Sequence, residues 1–244
     1  MTSQVPATPP FPTMFTSKLT LISLFSSFLL TTASPLPSLG RRAAAVLADG
    51  RVPINFSQAD FDVSGTSPFS PDFTRAEDQP FSQIVQLPND PPSLFDGTTS
   101  RALEVTINDK SIFAPGGKPQ NGFRRAELML ASNDGKDATV QGITTMHFSI
   151  KDDPAKPLDF NHEYQPVFIE TSDFSSHVWT LKTGVPFGTD PTTVGDCEKK
   201  TLRLGSSTAG GADKEEVLFQ TAFDSGVWHN YAIQTDWDKR HAIT

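Results

Sequence analysis

Clusters of Gly, Pro, Asp, Asn and Ser interrupt this chain at short intervals from Asn89 onward, leaving no room for long helices. They are NDPPS (89–93), DGTTS (96–100), APGGKPQNG (114–122), SNDGKD (132–137), KDDPAKP (151–157), GVPFGTDPTT (184–193), STAGGADKEE (207–216) and DSG (224–226). Each is a turn signal with a physical cause: Gly supplies positive φ, Pro pre-sets a turn, and Asn, Asp and Ser bond their own backbone. Between them lie runs of strand length: ALEVTI (102–107), GITTMHFSI (142–150), EVLFQTAF (216–223) and GVWHNYAIQTDW (226–237). In GITTMHFSI, Met146, Phe148 and Ile150 fall on one face and Thr145, His147 and Ser149 on the other. A 3.6-residue period is sustained over no long window. The expected fold class is all-β, a β-jelly roll or concanavalin-like sandwich with a concave groove on one sheet.

Composition supports one domain that relies on its core. Of 244 residues, 36% are hydrophobic, with 19 Phe but only 2 Tyr. The single cysteine, Cys197, allows no intrachain disulfide. Residues 1–33 have the features of an export signal, with Lys18 ahead of the apolar run Leu19–Leu30 and small residues Thr31 and Ala33 after it. Met14 offers an alternative start, because PATPPFPT is unlike a signal n-region. Residues 34–48 read as a linker or propeptide in which Arg41-Arg42 is either a dibasic processing point or a solvated stretch, and 49–244 as the folded domain. Asn55-Phe56-Ser57 is an N-glycosylation sequon, consistent with a secreted, extracellular protein. The net charge of −8 disfavours nucleic acid and anionic membranes as partners. A monomer is expected.

FRRAELML (123–130) sets charges among apolar residues. In extended form Phe123, Arg125, Glu127 and Met129 share one face, and Arg124, Ala126, Leu128 and Leu130 the other. Glu127 is then either half of a structural ion pair or a catalytic acid or base held by Arg125 or Arg124. A carboxyl beside cations is kept ionised, so an acid role needs burial or a second carboxylate. HEYQPVFIETSDF (162–174) offers one. Strict alternation places Tyr164, Phe168 and Glu170 on a common face, where aromatic rings beside a carboxylate suit a sugar; the same stripe also suits a core. Pro166, on that face, points to an edge strand or bulge. In SHVWTLKTG, Lys182 shares a face with Val178 and Thr180, opposite His177, Trp179 and Leu181. It is either a solvated strand end or a group that contacts sugar hydroxyls or balances Glu170. His229 lies opposite Trp228 in GVWHN, as a proton carrier or a structural histidine. HExxH, GxSxG and P-loop motifs are absent from the sequence. A two-carboxylate mechanism needs none of them. No metal site or cofactor is expected, with a structural calcium left open.

Six blocks in order, PSLFDG (92–97), VTINDKSIFAPGGKPQNGFRRAEL (105–128), MHFSI (146–150), HEYQPVFIE (162–170), LKTG (181–184) and GVWHNYAI (226–233), resemble glycoside hydrolase family 131, a group of secreted fungal β-glucanases. The resemblance runs from about Arg51 to Asp236. It implies a β-jelly roll acting on β-glucan polysaccharide, with 1,3-, 1,4- and 1,6-linkages in play. It also implies a site built from the RRAEL glutamate, a glutamate on the HEYQ strand, an arginine and a histidine. Carried over, these are Glu127, Glu170 (preferred to Glu163), Arg125 or Arg124, and His229; Tyr164, Phe168 and Lys182 are expected as substrate contacts from their strand faces, not from the resemblance. Family members continue past the GVWHN block, so a C-terminally incomplete domain is expected, and 195–216 is less family-like and reads as a loop variant. Two other readings stand beside hydrolysis: a jelly-roll polysaccharide lyase, and a glucan-binding module without turnover.

Overall fold

The computed structural model describes residues 45–71, 79–132, 135–207, 215–239 and 241–243. The expected signal segment, its alternative start and the dibasic pair lie outside the described residues. Two antiparallel sheets carry the second half of the chain. The larger joins β6 (Glu163–Glu170), β7 (His177–Gly184), β8 (Thr201–Ser207) and β9 (Glu215–Ala222) in sequence order. The smaller joins β5 (Ile143–Ile150), β10 (His229–Asp236) and β11 (His241–Ile243), with β10 in the middle. β5, β9 and β10 occupy runs whose alternation predicts strands, whereas β8 lies inside 195–216, expected as a loop variant; there Leu202 and Leu204 alternate and are buried, which draws the segment into the sheet between β7 and β9.

The sheets pack through those alternating positions. Trp179 and Leu181 of β7 and Leu202 and Leu204 of β8 meet Tyr231 and Ile233 of β10, with Phe148 and Ile150 of β5 against them. Phe148 stacks on Trp179 at 6.2 Å and on Tyr231 at 5.1 Å between ring centroids. The fully buried Trp179 keeps its one polar atom satisfied, its indole N–H donating to Thr235 Oγ1 at 3.2 Å. Burying each such side chain contributes about 1.5–3 kcal/mol. The result is a β-sandwich.

The first half of the chain is less regular. Of ALEVTI only β4 (Glu104–Val105) forms a strand, paired with β2 (Val85–Gln86), while β3 (Ser100–Arg101), just before it, pairs with β1 (Val52–Pro53). Its order comes from a second core of Val52, Phe56, Phe61, Phe69, Phe81, Ile84 and Val85. Phe61 meets Phe56 at 4.9 Å and Phe81 at 5.5 Å, both edge to face, so several of the abundant phenylalanines are spent here. This half lies against the sandwich through Trp228, whose N–H donates to the Pro91 carbonyl, and through Phe95 on His147.

Candidate active site

FRRAELML is extended but is not a full strand. One end is pinned to 111–113, with Phe113 N–H donating to the Phe123 carbonyl and Arg125 N–H to the Ser111 carbonyl. At the other end the Met129 carbonyl accepts from Ser70 N–H, and Ala131 N–H donates to the Pro68 carbonyl. Ala126, Leu128 and Leu130 pack on the Phe-rich core. Alternation then carries Arg125 and Glu127 to the opposite side. There Arg125 Nε is paired with Glu127 Oε1, and another nitrogen of the same guanidinium lies 3.5 Å from Glu170 Oε2. The three side chains are 19%, 11% and 26% exposed. One arginine therefore holds two carboxylates, one beside it in sequence and one 45 residues away from it. Its guanidinium also lies over Phe113 at 5.3 Å and Phe168 at 5.6 Å. Arg124 is turned away, ion-paired with exposed Asp109.

Two irregularities in the β6–β7 ladder decide what surrounds Glu170. Between Tyr164 and Val167 the register slips by one residue, at Gln165-Pro166. Tyr164 is consequently paired with the buried Thr183 and lies on the face opposite Phe168, its hydroxyl accepting from Asp159 N–H at 3.1 Å. Burial raises its pKa. The expected shared face of Tyr164, Phe168 and Glu170 is thus corrected, and the cause is the bulge that Pro166 signalled. The second slip leaves Val178 unmatched and pairs Glu170 with His177. His177, expected beside Trp179, is moved to the Glu170 face, with its ring edge to face on Phe168 at 5.3 Å. Burial is the largest cause lowering its pKa. Glu170 and Glu215 pull it back up, while Lys182 and Arg125 reinforce the depression. The net effect favours the neutral ring.

Lys182 also faces this side but pairs with Glu215 at 2.6 Å rather than with Glu170. The contact crosses β8 at Gly205, where an added Cβ would collide with the Glu215 carboxylate. Glycine in mid-strand leaves room for the carboxylate to lie across the sheet. Glu163, at the far end of β6, is engaged by Gln165 and by Phe187 N–H.

His229 does not join the cluster. In the unbroken β10–β5 ladder it shares the inward face of Tyr231 and Ile233. Its ring packs on Phe223 at 5.3 Å, and Nε2 lies 3.4 Å from the Asp224 carbonyl oxygen. It lines a separate cleft of about 420 Å³ with Trp228, Tyr231 and Phe219. The physical reason is periodicity: a residue two before a core tyrosine on a regular strand faces the same interior. The histidine that does stand at the carboxylates, His177, was hidden by a bulge. Among the described residues, no group of three or more His, Cys, Asp or Glu could hold a metal ion, and no helix is long and apolar enough to cross a membrane.

Compared with protein families, residues 46–244 match the glycoside hydrolase 131 catalytic N-terminal domain. A comparison with curated protein sequences finds no match. Among solved structures, the chain is similar to the catalytic domain of the glycoside hydrolase family 131 protein from Coprinopsis cinerea, at 22% identity and a TM-score of 0.56, covering 80% of this chain and 70% of that one. It is also similar to a family 131 β-glucanase catalytic domain from Podospora anserina, at 22% identity and a TM-score of 0.59, covering 80% and 71%. Those structural likenesses carry the fold, and the family match carries the membership: this chain belongs to glycoside hydrolase family 131.

Proposed function

We propose that this chain is a secreted, monomeric β-glucanase that hydrolyses β-1,3-, β-1,6- or β-1,4-linked glucan with Glu127 and Glu170 as its carboxyl pair. The supporting observation is the single Arg125 guanidinium in contact with both carboxylates. Hydrolysis of a glycosidic bond needs one carboxyl to protonate the leaving oxygen and another to activate water or attack the anomeric carbon. Glu127, the less exposed and directly on Arg125 Nε, is best held as an anion and serves as base or nucleophile. Glu170 makes the longer contact with the shared guanidinium, so it is the carboxyl less committed to that cation and takes the acid role. As its proton passes to the leaving oxygen, Arg125 is placed to stabilise the new anion. Arg125 and Lys182 meet substrate hydroxyls.

Reducing-sugar release from laminarin, pustulan and carboxymethylcellulose tests the reading. Glu127→Gln and Glu170→Gln are each expected to lower kcat by about a hundredfold or more. An aryl β-glucoside with a good leaving group needs little protonation, so it should restore rate to Glu170→Gln and not to Glu127→Gln. Equal rates for the wild type and Glu127→Gln would remove Glu127 from the mechanism.

A further inference from the structure

The six residues between Glu170 and His177 form a turn that is tightly bonded. Thr171 N–H donates to the Ser176 carbonyl and Phe174 N–H to the Thr171 carbonyl, both at 2.9 Å. The Asp173 carboxylate accepts from Thr171 Oγ1 at 2.6 Å, Ser175 Oγ at 2.8 Å and Ser175 N–H at 3.1 Å. Those bonds, led by the Thr171 hydroxyl, hold the Asp173 pKa down at about 2.

Phe174 is anomalous in this turn on two independent counts. Its φ is +58°, and every other described residue with positive φ is glycine. Bulky side chains rarely adopt that region, where Gly or Asn would fit with less strain. Its ring is also 74% exposed, so burial returns nothing for the strain. A feature that neither backbone nor core explains, in a turn joining two residues of the carboxylate cluster, calls for a ligand. The expected aromatic platform is otherwise missing. Tyr164 is on the far face, and Phe168 is already covered by Arg125 and His177. A β-linked glucose ring has its hydroxyls equatorial and presents C–H groups on both faces, and such a surface stacks on an exposed aromatic ring.

We propose that Phe174 is a sugar-stacking residue, a binding subsite for a glucose ring of a β-glucan chain beside the carboxylate pair. This rests on the reading of Glu127 and Glu170 as the hydrolytic pair, and it deepens that reading by naming where the polymer is held. The chain supplies its own control. Phe187 is 90% exposed but lies beyond the opposite end of β7, about 25 Å along an eight-residue strand.

The test uses the full chain in native gels cast with and without laminarin or hydroxyethylcellulose, alongside initial rates on β-glucan oligosaccharides. Wild type and Phe187→Ala should be retarded equally by at least one polysaccharide. Phe174→Ala should lose most of the retardation and raise KM about fivefold with little change in kcat, and Phe174→Trp should keep both near wild type. Phe174→Gly should bind as poorly while melting at the wild-type temperature or above, because glycine accepts positive φ without strain. Identical retardation and KM for the wild type and Phe174→Ala would overturn the proposal, as would a wild type retarded by neither polysaccharide. The hydrolytic reading fails separately: Glu127→Gln would then turn over at the wild-type rate, while the gels would still report on Phe174.

Discussion

The two carboxylates reach one guanidinium by opposite structural routes. Glu127 sits on a segment bridged to neighbours only near its ends, and its position is set by Ala126, Leu128 and Leu130 seated in the Phe-rich core. Glu170 ends β6, the outer strand of the described ladder, beside a slip in register. One placement depends on hydrophobic packing beneath the residue and the other on backbone pairing around it. Catalytic geometry built this way is sensitive to two unrelated kinds of change, and Arg125 is where both are felt.

Arg125→Ala should therefore have the largest effect. It removes the shared cation and leaves two carboxylates of like charge in a part-buried site, where repulsion favours protonating one of them. A fall in kcat of about a hundredfold is expected, and Arg125→Lys should recover little, because a point charge cannot fork to two partners. A near-wild-type kcat for Arg125→Lys would show that charge alone suffices. Leu128→Ala separates the routes. It removes packing beneath Glu127 while leaving the β6–β7 ladder intact, and should cost about 2 kcal/mol in a urea titration. It should also disturb Glu127 chemistry while sparing the assistance from Glu170. The ratio of rates on glucan and on an activated aryl glucoside, which needs little protonation, should then stay near wild type as both fall. A changed ratio would mean that the two routes are coupled.

The same contrast governs what the residues disclosed. In FRRAELML the apolar members recur every second position, and burial of one face dictates where Arg125 and Glu127 go, so the sequence could be read by alternation alone. In β6 and β7 alternation fails because each slip inserts an unpaired residue and inverts every side chain beyond it. Pro166 announced the first slip, and reading it as a bulge rather than as a member of the stripe would have turned Tyr164 inward. Nothing in the run from Thr171 to Val178 announces the second, since leaving Val178 unmatched is settled by the six-residue turn and by Trp179 seeking the core. Alternation alone therefore puts His177 with Trp179 rather than beside Glu170. The sandwich was legible where a strand buries alternate residues, as β10 does, whereas ALEVTI is paired only at Glu104–Val105 and β8 lies in a stretch whose Gly- and charge-rich flanks read as a loop.

His177 gives the smallest expected effect and the sharpest test of the bulge. Its folded pKa lies below the ordinary value of 6.5 because of burial, which outweighs the pull of Glu170 and Glu215 in the other direction, while Lys182 and Arg125 add to the depression. The unfolded chain then binds more protons than the folded one between the lowered value and about 6.5, so stability rises with pH through that window. The contribution is fully present above about pH 6.5 and is lost as pH falls through the folded pKa. His177→Gln keeps a polar side chain of similar reach but has no titration. Its urea midpoint, compared with that of the wild type, should therefore improve as pH is taken from 7.5 to 5, with the KM for glucan nearly unchanged at pH 7. Parallel midpoints over that range would mean that His177 remains solvated and that the slip at Val178 does not bury it beside Glu170.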